Sequence, residues 1–534
     1  MRSTINALQQ RFFVLLLTLL TPLLAFSQDT ATKGIDQRID EAFKPVSDFI
    51  VQTVFYAIPI GGVGLPIVLI VLIVGALFFT IYFGFPNIKH LPLAIKTVRG
   101  DYYNPSSSSK KEEDNPDTIR DESVEGEVTP FQALTAALSA TVGLGNIASV
   151  AVALSLGGPG ATFWMILAGF LGMSSKFAEC TLGVKYREID ANGTVHGGPM
   201  YYLKKGLAEK GFAGLGKVFA VFFAIMCIGG SFGGGNMFQA NQAAIQFLNV
   251  IYGDPALIPT SAKTVFGLVV AALVGIVIIG GIKRIGQVTE KVVPFMAVLY
   301  VGAAVIVIGM NISLVPTAFG LILAGAFSPM GIAGGFIGVL IQGFQRAAFS
   351  NEAGVGSAAI AHSAVRTSHP ASEGMVALLE PFIDTVIICT MTALVLIITN
   401  IEGQFMVYGE KADGVSATSA AFSSSLPGAE YILTIAVVLF AFSTMLSWSY
   451  YGLQAWKFLF GKGKTTDLVY KLTFCLFVVI GSAASLGSVI DFSDAMIFAM
   501  VFPNVIGLIL LAPVVKEEVA KYIAHTKKLD EENA

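Results

Sequence analysis

Residues 345–364, QRAAFSNEAGVGSAAIAHSA, place Arg346, Ser350, Asn351, Glu352 and Ser357 inside a long apolar stretch, with Gly354 and Gly356 interrupting the helix pattern. A charged group at the bilayer centre costs roughly 2.5–3.5 kcal/mol even on the lenient insertion scale. Free backbone groups in hydrocarbon are costly as well, so such a break persists only where it faces protein or a water-filled cavity. An unwound helix exposes amide N–H groups that suit an anion and carbonyl oxygens that suit a hard cation or an ammonium. A second stretch of this kind, TVGLGNIASV at 141–150, supplies Thr141, Gly143, Gly145 and Asn146. Two such breaks facing one another match both ends of a zwitterionic amino acid.

Other polar positions in apolar runs add to the candidates. In GGSFGGGNMFQANQ (229–242), Asn236, Gln239 and Asn241 are unusual amides, and Phe238 shares a face with Asn241. They either line a substrate path or hold helices together. In FSTMLSWSYYG (442–452), Ser443, Thr444 and Ser447 offer hydroxyl oxygens to a sodium ion and Trp448 an apolar wall. Ser and Thr also bond their own helix backbone, which is the structural alternative. LEPFIDT (379–385) puts Glu380 and Asp384 on one helix face, with Asp384 well inside the bilayer. Its expected partner is Arg346, in an ion pair that fixes the helix break, although Glu352 and Glu380 compete for the same guanidinium. Glu179 and His196 belong to a cytoplasmic gate region. None of the five histidines is expected mid-span, so a histidine proton relay has no support. Ser350 or Ser357 with His362 lacks a third orienting group, so no catalytic residue is expected. The four cysteines, Cys180, Cys227, Cys389 and Cys475, lack metal-ligand spacing and read as free buried thiols.

The elements that must hold these residues follow from composition. The chain has 534 residues, 54% hydrophobic and 13% charged, with mean hydropathy +0.73. A soluble domain carries about 25% charged residues, so this is an all-α polytopic membrane protein with lipid as its surroundings and no nucleic-acid partner. Residues 1–27 read as a signal peptide: Arg2 and Arg11 precede FFVLLLTLLTPLLA, and Ala25-Phe26-Ser27 fits a cleavage site. Residues 28–62 follow as an outer-face segment, with Ile35, Ile39, Phe43, Val46 and Ile50 at the spacing of an interfacial helix. Eleven spans are predicted, near 63–84, 130–156, 159–185, 216–249, 264–282, 286–310, 331–362, 372–399, 429–458, 466–487 and 492–514. They are called segments one to eleven below. Residues 313–327 are too short to span and read as an outer surface helix. The polar linker at 100–128 and the tail at 515–534 read as solvated chain.

One set of loops carries Lys89, Lys96, Arg99, Lys185, Arg187, Lys283, Arg284, Arg366, Lys457, Lys462, Lys516 and Lys521. The alternate loops hold only Lys411. By the positive-inside rule the first set is cytoplasmic. The mature N-terminus is then outside and the C-terminus inside, in the plasma membrane. After the extra segment and its loop (63–129), ten segments split into two fives, 130–310 and 311–514, each beginning with an interrupted helix. Breaks at corresponding positions of two halves point to an inverted-repeat secondary transporter. Proton coupling through Asp384 or Glu352, or a channel, are the other readings.

The motifs TVGLGNIASVAVALSLGGPGATFWM, KFAECTLGVKYRE, HGGPMYYL, GFQRAAFSNEAGVGSAAIAH and HPASEGMVALLEPFIDT resemble those of the alanine or glycine:cation symporters, the sodium:alanine symporter family. The resemblance is dense over 130–460. It implies the fold of leucine-transporter-like symporters, two inverted five-helix repeats with one additional N-terminal helix. It also implies symport of alanine or glycine with a sodium ion. Carried over, Thr141, Gly143, Gly145 and Asn146 hold the substrate carboxylate. Phe238, Asn241, Phe349, Thr444 and Trp448 complete the pocket, and sodium lies among Thr141, Ser443, Thr444 and Ser447. Arg346, Glu352, Glu380 and Asp384 are structural or gating charges.

Overall fold

The computed structural model describes residues 48–532 apart from 61–62, 103–126, 192, 260, 329–334 and 401–402. The expected signal peptide, most of the outer-face segment and most of the polar linker lie outside the described residues.

In hydrocarbon each backbone N–H and C=O must be bonded within its own element, so the apolar runs become helices. Seven are long and apolar enough to cross a membrane: Ala161–Lys185, Ala213–Tyr252, Gly281–Met310, Pro370–Thr399, Ala429–Phe460, Lys464–Ala483 and Leu486–Glu532. These are segments three, four, six and eight to eleven. Segment two makes an eighth as a bent pair, Pro130–Thr141 and Gly145–Gly157, 46° apart. By this measure the described residues do not reach the predicted eleven. Segments one (Ile67–Tyr82) and five (Ala262–Ile278) have 16 and 17 residues, about 24–26 Å against a hydrocarbon core of about 30 Å. Segment seven is split into Gly335–Asn351 and Ala358–His362.

The fold departs from the sequence expectations in three further places. The tail is no solvated chain: one helix runs Val501–Glu532. Residues 400–428, read as a loop, contain a helix at Gly414–Ser425, which a Ser- and Gly-rich composition concealed. A two-stranded hairpin, β1 (Ala57–Ile60) with β2 (Val63–Pro66), precedes segment one. Val315–Ala326 is a helix as expected, and it packs on segment three, where Trp164 Nε1 donates to Ala326 O at 3.0 Å.

Among the described residues, three stretches of π-helix interrupt the bundle, at Gly145–Ser149, Gly233–Met237 and Phe382–Cys389. Such turns leave backbone groups off the regular ladder and re-aim side chains. They fall in segments two, four and eight, each of which carries candidate residues. A parallel bridge, Val128 to Val365, ties the entry of segment two to the exit of segment seven. Glu127 N donates to Ala364 O (2.7 Å) and Arg366 N to Val128 O (2.9 Å).

Segment seven's break depends on backbone that L side chains resist. Gly354 (φ 86°) and Gly356 (φ 95°) lie in the left-handed region, and Glu352 joins them at φ 56°. A Cβ on Gly356 would also meet Pro199 Cγ at 2.8 Å and Asn504 Cγ at 2.9 Å. Gly356→Ala is expected to destabilise the protein by at least about 1–2 kcal/mol, the cost of left-handed backbone for a residue with a Cβ. Thermal unfolding in detergent measures it, and an unchanged midpoint would contradict this account of the break.

Candidate functional site

The two breaks face each other. A cavity of about 10 Å³ between them is lined by Ala140, Thr141, Gly145, Gly234, Gln239, Phe349, Glu352, Trp448 and Ile497, room for about one water. The predicted Thr141, Gly145, Phe349 and Trp448 therefore meet at one point. Gln239 joins them: its Oε1 accepts from Leu144 N (3.2 Å) inside the first break, and its Nε2 donates to Gly234 O (2.9 Å). Phe238 packs edge-on against Phe349, ring centroids 5.3 Å apart. Gly235 lets the wall close, because a Cβ there would overlap the Trp448 ring.

Glu352 supplies the pocket's carboxylate. Trp448 Nε1 donates to its Oε1 at 2.8 Å, and the Ser357 hydroxyl donates to Oε2. The left-handed backbone at Glu352 turns this side chain out of segment seven and across to segment nine.

Asn241 is not in the pocket. Its amide donates to Gly481 O (3.1 Å) and Ala484 O (2.7 Å), a helix-to-helix contact. Asn236 likewise donates to Phe474 O at 2.7 Å. Of these three amides only Gln239 reaches the cavity.

Asp384 gathers both breaks around one carboxylate. Asn146 Nδ2 donates to its Oδ1 (2.6 Å) and its backbone carbonyl (3.0 Å). Ser350 Oγ (2.9 Å) and Thr385 Oγ1 (2.7 Å) donate to Oδ2. Asn146 Oδ1 accepts from Gly143 N at 2.9 Å, which fixes the first break. Asp384 is fully buried, and its expected pairing with Arg346 is not found. Arg346 bonds Asp494 of segment eleven, 148 residues away. A guanidinium on segment seven faces away from segment eight here and lies over the Phe349 ring, 5.5 Å from its centroid.

On the segment-nine side the hydroxyls are mostly occupied. Thr444 Oγ1 donates to Ser139 O (2.8 Å), and Ser139 Oγ donates to Ser443 O (2.7 Å). Ser443 Oγ turns to Phe440 O (3.1 Å), and Thr141 Oγ1 to Ala137 O (3.2 Å). Ser447 Oγ is buried with no hydrogen-bond partner.

A third buried polar cluster escaped the sequence reading. Lys176 of segment three is fully buried, and its Nζ lies 3.2 Å from Glu380 Oε2. His362, also buried, sits between Glu373 and Glu380, so a histidine does lie deep in the bundle. A lone lysine in the apolar run GFLGMSSKFAEC was the available signal. His196 instead meets Gln454 (3.1 Å) and Asp190 (3.3 Å), and Glu179 accepts from Asn504 Nδ2 at 2.9 Å. Ser350 and Ser357 each donate to a carboxylate and His362 contacts two others, so no serine–histidine pair exists. Cys180, Cys227 and Cys389 are buried and Cys475 partly so, all as free thiols.

A helical bundle in which two broken helices face one closed polar pocket defines a membrane transporter. The fold agrees with MhsT: the crystal structure of MhsT in complex with L-phenylalanine superimposes with a TM-score of 0.53 at 16% identity, covering 73% of this chain and 89% of that one. This is the leucine-transporter-like architecture. The family model of the sodium:alanine symporters matches residues 50–534, and the chain belongs to that family. It is 40% identical over 473 residues to "Sodium/alanine symporter AgcS" of Methanococcus maripaludis, covering 88% of this chain and 96% of that protein. It is 36% identical over 403 residues to "Probable sodium/glutamine symporter GlnT" of Bacillus subtilis, covering 75% and 80%. The protein is thus a multi-pass plasma-membrane transporter, a cation-coupled amino-acid symporter and not an enzyme.

Proposed function

We propose that the protein carries alanine or glycine into the cell with sodium, by alternating access between the repeats 130–310 and 311–514, with its C-terminus cytoplasmic. The observation that carries this reading is the closed pocket between the breaks. The substrate carboxylate meets the helix start at Gly145, where N–H groups carry partial positive charge. The ammonium meets Glu352. The side chain meets Phe349, Trp448 and Ile497, bulky walls that disfavour a large one. The names of AgcS and GlnT support amino-acid symport, and the aromatic walls of the pocket support a small side chain.

Sodium is assigned to the oxygens around Asp384, Ser350 and Thr385, because this set adds a formal negative charge to hydroxyls and is bonded by Asn146 of one break and Ser350 of the other. The hydroxyls of Thr141, Ser443, Thr444 and Ser447 form the alternate set, and the unpartnered Ser447 Oγ favours it. Inward movement of one net positive charge is worth about 2.3 kcal/mol per 100 mV, roughly a fortyfold concentration ratio.

Radiolabelled alanine uptake into proteoliposomes tests the reading, with an inward sodium gradient and then with choline at constant pH. Saturable uptake in sodium alone is expected. Equal uptake in both salts would move the coupling to protons, and none in either would remove the substrate assignment. Leucine and phenylalanine at tenfold excess are expected to leave alanine uptake within about twofold. Strong competition by either would mean the pocket opens further than its walls allow.

A further inference from the structure

The cluster at Lys176, His362, Glu373 and Glu380 takes no part in holding substrate or sodium. His362 Nδ1 lies 2.6 Å from Glu373 Oε2, and Nε2 contacts Glu380 Oε1. All four side chains are buried. Each of these nitrogen–oxygen contacts needs a proton between its atoms. A neutral imidazole supplies one N–H and one lone pair, so the triad holds one proton more than a neutral ring can give. Glu380 also meets Lys176 through its other oxygen, at 3.2 Å, which keeps Glu380 a carboxylate. The additional proton therefore lies on the line between His362 Nδ1 and Glu373 Oε2.

Charge counting agrees. With that proton, Lys176 and the imidazolium offset Glu373 and Glu380. Without it the cluster carries one uncompensated negative charge, which a buried site tolerates poorly. Other groups act on the cluster from each neighbouring element. Glu179 and Cys180 come from segment three, with Arg187 beyond its end. Glu352 comes from the break, Tyr451 from segment nine and Tyr522 from the tail helix. Glu179 and Glu352 have donors of their own, from Asn504 and from Ser357 and Trp448.

The proton has a way out. Glu373 also lines a cavity of about 120 Å³ with Arg366, His369, Ser372, Tyr522 and His525, and its Oε1 has no hydrogen-bond partner. Burial and the neighbouring His525 hold the His369 pKa below its ordinary value, so near neutral pH this ring is uncharged and offers one N–H and one lone pair. The triad is also a clasp. His362 ends the C-terminal half of broken segment seven, and Glu373 and Glu380 belong to segment eight.

We propose that Glu373, His362 and Glu380 form a proton-binding site separate from the amino-acid pocket. The proton is bound while the C-terminal half of segment seven is closed against segment eight, and it leaves through Glu373 into the cavity when the two part. No bond to carbon is made or broken; the proton passes from the His362–Glu373 contact to water. Its involvement in each transport cycle rests on the transport reading, but the site itself does not.

Hydrogen–deuterium exchange of the full chain in lipid nanodiscs tests it without substrate. Labelling times are scaled from pH 6 to 9 to cancel the intrinsic rise of amide exchange. Peptides covering 358–373 are expected to open several-fold more at the alkaline end. In Glu373→Gln the amide donates to His362 without an extra proton, so the profile is expected to be flat, with segment ten unchanged in both proteins. A flat wild-type profile, or a Glu373→Gln profile that keeps the wild-type slope, would overturn the proposal. The wild-type profile decides alone if the variant does not fold.

Discussion

Replacing Asp384 with asparagine is expected to reduce sodium-driven alanine uptake at least about a hundredfold while the protein still folds and inserts. A unit charge pair at about 4 Å is worth roughly 4 kcal/mol at an effective dielectric of about 20, and each 1.4 kcal/mol is a factor of ten. Asparagine keeps the size of the side chain and one acceptor for Ser350 and Thr385, so the loss tracks charge and not shape. Uptake measured against sodium concentration is the check, with size-exclusion elution as the control for folding. Uptake within threefold of wild type would show that the cation is held elsewhere. Ser447→Ala and Thr444→Ala would then be the variants to compare.

The second large effect concerns the pair that joins segments seven and eleven. Arg346 and Asp494 are each about 5% exposed as side chains, and Arg346 Nε and Asp494 Oδ1 have no hydrogen-bond partners of their own. Removing one partner of a buried ion pair costs about 3–5 kcal/mol, because the other charge is left uncompensated. Arg346→Met is therefore expected to lower the unfolding midpoint strongly. Arg346→Met with Asp494→Asn is expected to recover most of that loss, since the lone charge is gone. Scanning fluorimetry of the three proteins decides it. A double variant as unstable as the single one would mean that Arg346 acts through its position over Phe349 and not through Asp494.

The sequence exposed the helix breaks more readily than their partners, for a physical reason. Gly143, Gly145, Gly354 and Gly356 disrupt a periodic pattern locally, and a local disruption can be read from one segment. Choosing a partner for Arg346 means knowing which helix faces it. Proximity in the chain favoured Asp384, whereas the bundle turns Arg346 towards segment eleven. Asn241 misled in the same way: an amide in an apolar helix marks a polar need, and here that need is a pair of carbonyls on segment ten. Glu352 was read as a structural charge because its left-handed backbone, which carries it into the pocket, has no residue-type signature outside glycine. Lys176 was missed although it needed no partner to be noticed, since one lysine amid apolar residues is itself a signal.

The tail helix has a mechanical consequence. Val501–Glu532 is 32 residues long, about 48 Å at 1.5 Å per residue. It begins seven residues beyond Asp494, and its C-terminal half is fastened by Lys185 to Glu518 (2.8 Å), Thr97 to Tyr522 (2.9 Å) and Tyr102 to Asp530 (3.0 Å). A movement of its base must therefore either carry Lys185, Thr97 and Tyr102 with it or break these ties. A change at Asp494 can thus be felt at the far end of the helix, where a fluorescent label near Glu532 would report whether the ties hold.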